Sequence, residues 1–325
     1  MKTNKEIIFS LEDYTGFITI NRPPHNFFDI NIISQIADIL EDMDKENKCR
    51  SIILSSEGKN FCAGADFSKT NFTSGESIYE DLYKQAVRLF RTNKPIIASI
   101  QGAAIGGGLG VSLSADFRVA CKESRFSANF GKLGFHQGFG TTITLPRVVG
   151  VQKAKLMLLT SKRINGEEAY NIGLVDYLVE RSELMNKAKK LAKEINASGP
   201  LGIKAIRNTL NQGLADKIEE VVKIEAREQN ILRETSDFKE GIDASINRRE
   251  PIFKGIYINK IVEYCIMVIE NSKIEEASEL IKLAINDYDA FLKKINTFTP
   301  KKKEEAIRWL RNALKYIDKQ KNNKK

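Results

Sequence analysis

Residues 94–116, KPIIASIQGAAIGGGLGVSLSAD, leave few folds open. Pro95 to Ile100 is a short apolar run, bounded by a proline and by Gln101-Gly102, and it predicts a fully buried strand. Gly106-Gly107-Gly108 follows, and then the small-residue segment Leu109 to Ala115. Glycine lets a backbone pass close to a ligand and reach φ values that other residues avoid. A helix starting just after the triplet leaves its first N–H groups without intrahelical acceptors. Such a start suits an anion, or an oxygen that becomes one during a reaction.

On either side the pattern alternates between strand and helix. Ile7 to Leu11 and Phe17 to Ile20 predict two strands around a turn at Asp13 to Gly16. Asp29 or Asn31 is placed to cap a helix running to about Lys45, with Ile32, Ile33, Ile36, Ile39, Leu40 and Met43 on one face. A strand at Ser51 to Leu54, a helix at Ser77 to Arg91 and the Pro95 strand continue an α/β order. Phe117 to Cys121 and Arg125 to Ala128 predict further short strands. Val151 to Thr160 and Glu167 to Asn171 predict helices, and Leu174 to Val179 a strand. From Ser182 to about Asn247 helix follows helix, with breaks at Ser198-Gly199-Pro200 and near Thr235-Ser236.

The chain has 325 residues, 42% of them hydrophobic and 29% charged, enough for one large domain and an appendage. The boundary falls near REPIFKG, giving a main domain over 1–256 and a helical extension over 257–325. The extension shows helical spacing at Ile281, Ala284, Ile285, Tyr288, Phe291 and Leu292, and its end, KQKNNKK, has the composition of a disordered tail. Much of the net charge of +9 sits in the last 25 residues, so it argues for a solvated segment and against a nucleic-acid-binding surface on the main domain. The four cysteines are scattered, with no CxxC and no paired histidines, so neither a disulfide framework nor a metal site is expected, and a reducing cytoplasm fits. No signal core and no membrane-spanning run is present. Gly106-Gly107-Gly108-Leu109-Gly110 also lacks the GxGxxG spacing of a dinucleotide site.

Two loops carry the chemistry. Asn60-Phe61-Cys62-Ala63-Gly64-Ala65-Asp66 and Gln101 to Gly108 each follow a strand, at the carboxyl ends where parallel sheets bind ligands. Small residues in both let two backbone N–H groups converge on one oxygen. With Asn21-Arg22-Pro23, Lys94-Pro95, Ser114-Ala115-Asp116-Phe117, the Leu133 to Gly150 segment and Gly173-Leu174-Val175-Asp176, the pair resembles the crotonase family, also called the enoyl-CoA hydratase/isomerase family, over residues 5–255. The resemblance implies an α/β fold, a spiral of ββα units with a C-terminal helical region, here followed by a small all-α appendage. It also implies acyl-CoA substrates of the kind met in fatty acid metabolism, with the coenzyme A carried by the substrate and no separate cofactor. Assembly as a homotrimer or a dimer of trimers goes with it, without nucleic acid or membrane. Carried over by position, it places an oxyanion hole for a thioester enolate on the amides of Ala65 and Gly107. Phe61, Cys62 and Ala63 fall where the adenine is met, Asp66 supports the hole loop, and Lys254 reaches a CoA phosphate.

The chain also departs from the pattern. The two glutamates of the family's hydratases fall at Gly110 and Phe130, and the aspartate of some isomerases and dehalogenases falls near Gly138. Three carboxylates are missing. His136, in GFHQGFG, is the candidate acid or base in their place, with Gln137 orienting water or substrate. Tyr79 and Tyr83 read as core packing, and His25 as structural. The resulting expectation is an enzyme of the enoyl-CoA hydratase/isomerase type. The alternatives are a CoA-ester decarboxylase or hydrolase using His136, or a binding protein without catalysis.

Overall fold

A computed structural model of the chain describes residues 6–65 and 77–255. The chain divides into two compact units, one of Met1–Arg233 with Asp237–Phe253 and one of Glu234–Ser236 with Lys254–Lys325. The expected helical extension at 257–325 lies outside the described residues.

The first unit opens with β1 (Ile7–Glu12) and β2 (Thr15–Ile20), an antiparallel pair. Asp13 and Tyr14, both at positive φ, make a turn two residues long, tighter than the turn expected at Asp13 to Gly16. Helix α1 (Ile30–Lys45) starts where Asp29 accepts a hydrogen bond from Ile32 N, so Asp29 and not Asn31 is the cap. Its face of Ile32, Ile33, Ile36 and Leu40 is buried. There follow β3 (Ser51–Ser56), α2 (Ser77–Leu89), β4 (Ile96–Ile100), β5 (Ala103–Ile105), α3 (Gly107–Leu113), β6 (Phe117–Ala120) and β7 (Arg125–Ser127). Then come α4 (Thr141–Thr160), β8 (Ile164–Asn165), α5 (Gly166–Asn171), β9 (Tyr177–Leu178) and the helices α6 (Leu184–Asn196), α7 (Pro200–Leu210), α8 (Leu214–Leu232) and α9 (Ser236–Ile246).

The strands form two sheets. One has the order β1-β2-β3-β4-β6-β9, parallel from β2 onward. The other has the order β5-β7-β8. On β3, Ile52 and Leu54 enter one apolar cluster, while Ile53 faces another built with Ile97, Val119 and α6. Both faces are therefore covered, which is why parallel strands read as unbroken apolar runs.

Two of the recurring motifs are joints. Asp116 accepts from Ile96 N at 2.8 Å and from Arg207 Nε at 2.9 Å, tying the end of α3 to β4 and α7. Asp176 accepts from Arg118 N at 2.7 Å and ties β6 to the approach of β9. The helical stretch that ends GKLGFHQGFGTTITLPRVVG and the helix expected at Val151 form one element from Thr141, kinked at Gly150. The short β5 and β8 were not expected, because two or three residues are too few to show a period.

Candidate active site

The 57–65 loop and the 101–108 bend are laced together by backbone. Cys62 N donates to Ala103 O at 2.8 Å, and Ile105 N to Cys62 O at 3.0 Å. A β-carbon on Gly102 would overlap Lys59 O, and one on Gly108 would overlap Cys62 O. No other residue fits those crossings. The buried Asn26 adds a third strand of chain, since its Nδ2 donates to Glu57 O at 2.8 Å and to Asn60 O at 2.7 Å. Gln101 Nε2 also reaches Asn60 O, at 3.0 Å.

In this lattice most amides are spent. Ala63 N donates to His25 O and Gly106 N to Ser127 O. Gly110 N makes the first bond of α3, to Gly106 O. The amides of Ala65 and Gly107 donate to no acceptor among the described residues. Both residues line one cavity of about 350 Å³. The two bends meet there, and a β-carbon on Gly64 would stand 3.9 Å from Gly107 N.

The cavity wall is mainly apolar. Leu82, Phe130, Leu133, Phe135 and Phe139 contribute, and its polar groups come from His25, Tyr83, Asn129, Gln229, Ser245 and Arg248. No carboxylate lines it among the described residues. The three vacant positions have a steric cause or a new occupant. A β-carbon on Gly110 would lie 2.6 Å from Phe139 Cβ. One on Gly138 would overlap the Tyr83 hydroxyl. Phe130 is itself part of the wall.

The expected site residues fare unequally. Ala65, Gly107 and Ala63 line the cavity. Phe61 and Cys62 are fully buried, and burial pushes the Cys62 thiol up to about 12, so it is neither a contact surface nor a nucleophile. His136 is half-buried and is not among the lining residues. Its Nδ1 lies 2.8 Å from Gln137 O, and its own carbonyl accepts from Gln229 Nε2 at 2.9 Å. Asp66 and the Tyr79 side chain lie outside the described residues. Lys254 belongs to the second compact unit. Sequence reasoning missed Arg248, six residues earlier, and Gln229, and gave too little weight to Tyr83 and His25. A histidine behind a double proline and a glutamine inside a helix gave no signal of a shared cavity. Among the described residues no cluster of His, Cys, Asp or Glu is placed to hold a metal.

Behind the wall sits Glu225, on α8 and fully buried. It caps α4 from outside, accepting from Gly140 N at 2.8 Å, Thr142 Oγ1 at 2.6 Å and Thr142 N at 3.1 Å. Burial raises its carboxyl from 4.5 to about 7, against those three hydrogen bonds, which lower it. The unfolded chain therefore loses this proton first as pH rises. The stability Glu225 contributes falls between pH 4.5 and about 7, by an amount on the order of 3 kcal/mol. Glu225→Gln should flatten that part of the profile. Urea midpoints of both proteins at pH 5 to 8 test this, and parallel profiles would exclude the buried proton.

A sequence model described as enoyl-CoA hydratase/isomerase matches residues 13–256. The chain is 33% identical over 254 residues to a crotonyl-CoA hydratase of Syntrophomonas wolfei, covering 77% of this chain and 98% of that one. It is 28% identical over 260 residues to a 1,2-epoxyphenylacetyl-CoA isomerase of Escherichia coli, with the same coverage of 77% and 98%. A crystal structure of an enoyl-CoA hydratase/isomerase from Pseudoalteromonas atlantica superposes with a TM-score of 0.69 at 26% identity, covering 77% of this chain and all of that one. The ββα architecture, the two laced bends and these likenesses agree, and the chain is an enzyme of the enoyl-CoA hydratase/isomerase family.

Proposed function

We propose that the enzyme acts on acyl-CoA thioesters and stabilises a thioester enolate between the amides of Ala65 and Gly107. One observation carries this reading: two main-chain donors from separate bends open on one cavity, and neither has an acceptor among the described residues. Fixed donors aimed at developing charge in a dry site are worth about 3–4 kcal/mol each. A protein that only bound acyl-CoA would have little use for them.

Addition of water by a pair of carboxylates has no support, because positions 110, 130 and 138 carry no carboxylate and two of them have no room for one. The chemistry that fits forms an enolate with one proton-transfer group or none. His136 has its ring nitrogen 2.8 Å from the neighbouring backbone carbonyl and is a poor candidate for that group.

Arg248 is exposed and lines the cavity. It fits the part of phosphate anchor that the sequence suggested for Lys254, since a guanidinium matches phosphate oxygens in pairs. Arg248→Ala is expected to raise KM for a CoA ester about tenfold and to leave kcat within a factor of two. An unchanged KM would remove Arg248 from the binding site.

The reading as a whole is tested on the purified chain with enoyl-, dienoyl- and malonyl-type CoA esters. Turnover of one of them, lost when Gly107 N–H is removed, is the expected result. Tight binding of the esters without turnover of any would make the protein a binder.

A further inference from the structure

Most polar side chains in the described wall of this cavity are already satisfied. The Tyr83 hydroxyl donates to Gln229 Oε1 at 2.6 Å, and Gln229 Nε2 donates to His136 O at 2.9 Å. His25, Ser245 and Arg248 are exposed, so water serves them. Asn129 differs. It lines the cavity, it is half-buried, and its side-chain amide has no hydrogen-bond partner among the described residues. No side chain caps the 3₁₀ turn Gly131–Leu133 that follows, so local structure does not use the amide either. A polar group taken from water is normally hydrogen-bonded, and one left open inside a cavity calls for a partner from outside the chain.

Sheet register carries this amide to the Gly107 end of the cavity. Strands β5 and β7 run parallel with Ile105 opposite Ser127, and Gly106 N donates to Ser127 O at 2.8 Å. The two chains therefore leave the sheet side by side, one toward Gly107 and the other toward Asn129. A β-carbon on Gly106 would stand 3.0 Å from Asn129 Oδ1. One peptide unit separates Gly106 from the Gly107 amide, so standard backbone lengths put Asn129 Oδ1 within about 7 Å of Gly107 N. An acyl group whose thioester oxygen sits on that amide has its third and fourth carbons within reach of Asn129.

A side-chain amide offers two N–H donors and an acceptor oxygen. A plain hydrocarbon chain would cover it and pair with none of them, which weakens binding. A hydroxyl or a ketone oxygen would pair with it. A carboxylate fits less well, because a neutral amide brings no charge to offset one beside Phe130, Leu133 and Phe135. The amide neither gives nor takes a proton near neutral pH, so the oxygen it holds is one that the reaction leaves in place. We propose that Asn129 is a specificity-determining residue, and that the substrate's acyl group carries an uncharged oxygen, hydroxyl or ketone, on its third or fourth carbon. The inference rests on the oxyanion-hole reading of Ala65 and Gly107, which fixes the thioester end of the substrate.

The test is calorimetric binding to the full chain of oxygenated CoA esters and of hydrocarbon esters of the same shape. The pairs are 3-hydroxybutyryl-CoA against 3-methylbutyryl-CoA, and 4-hydroxybutyryl-CoA against pentanoyl-CoA. The wild type is expected to bind at least one oxygenated ester about tenfold tighter than its hydrocarbon match. Asn129→Leu, which keeps the shape and removes the amide, should abolish or invert that preference and leave the Kd of free coenzyme A within a factor of two. Ratios near one for both pairs in the wild type, or a preference that survives intact in Asn129→Leu, would overturn the role of Asn129. If those ratios are near one while Gly107→Ala still turns over a CoA ester faster than Gly107→Pro, the oxyanion hole stands without this inference. No measurable binding of any CoA ester would remove both. If Asn129→Leu melts well below the wild type, the wild-type ratios decide alone, and a preference for the hydrocarbon esters overturns the proposal.

Discussion

Gly107→Pro is expected to lower kcat by about 10²–10³-fold relative to Gly107→Ala, for whichever CoA ester the wild type turns over. The comparison with alanine is needed because position 107 is crowded. A β-carbon there would overlap the Phe28 ring, which is buried against Phe139 with ring centroids 5.5 Å apart. Alanine and proline both bring that overlap. Only proline also deletes the N–H. Its backbone is otherwise tolerable, since Gly107 is the first residue of α3 and proline suits that position. The difference between the two variants therefore isolates one hydrogen-bond donor. Equal rates in the two would dismiss the amide as a source of catalysis, even if both were slow.

The second large effect is structural. Restoring a hydratase glutamate by Gly110→Glu should destabilise the protein by about 3 kcal/mol or more, combining overpacking with an unpaired buried carboxyl. For a chain of this size the melting temperature should fall by roughly 10 °C. No hydratase activity should appear. The cause lies across the cavity wall, where Phe139 Cβ stands 2.6 Å from the would-be β-carbon. Phe139 is 1% exposed and held at φ +62°, with little freedom to retreat. Gly110→Ala gives the cleaner sign. In an open helix, glycine to alanine stabilises by about 1 kcal/mol. Here it should destabilise, and a rise in melting temperature would refute the contact.

The absent carboxylates thus have a physical setting. Phe139 fills the space in front of position 110, and the Tyr83 hydroxyl fills the space in front of position 138. Glu225 holds the Phe139 turn through the amides of Gly140 and Thr142. Aromatic side chains thus stand at and around positions 110, 130 and 138, where the resemblance to the family implied carboxylates.

Much of this architecture was open to a reader of the bare chain. Alternating apolar runs and amphipathic stretches give strands and helices because side-chain period follows backbone geometry, and the cap at Asp29 and the break at Pro200 are local chemistry. The two small-residue bends were legible for the same reason, since the spacing of glycines within a loop is a local property. Contacts between residues far apart in the chain were not. Tyr83 and Gln229 are 146 positions apart, and nothing in the helix that carries either one announces the other. His136 stood out as a rare residue in the right segment, yet its ring nitrogen lies 2.8 Å from Gln137 O and its carbonyl is what holds Gln229. Local pattern decides which residues make each element. The folded chain decides which faces of those elements enclose a common space, because a cavity belongs to no single segment.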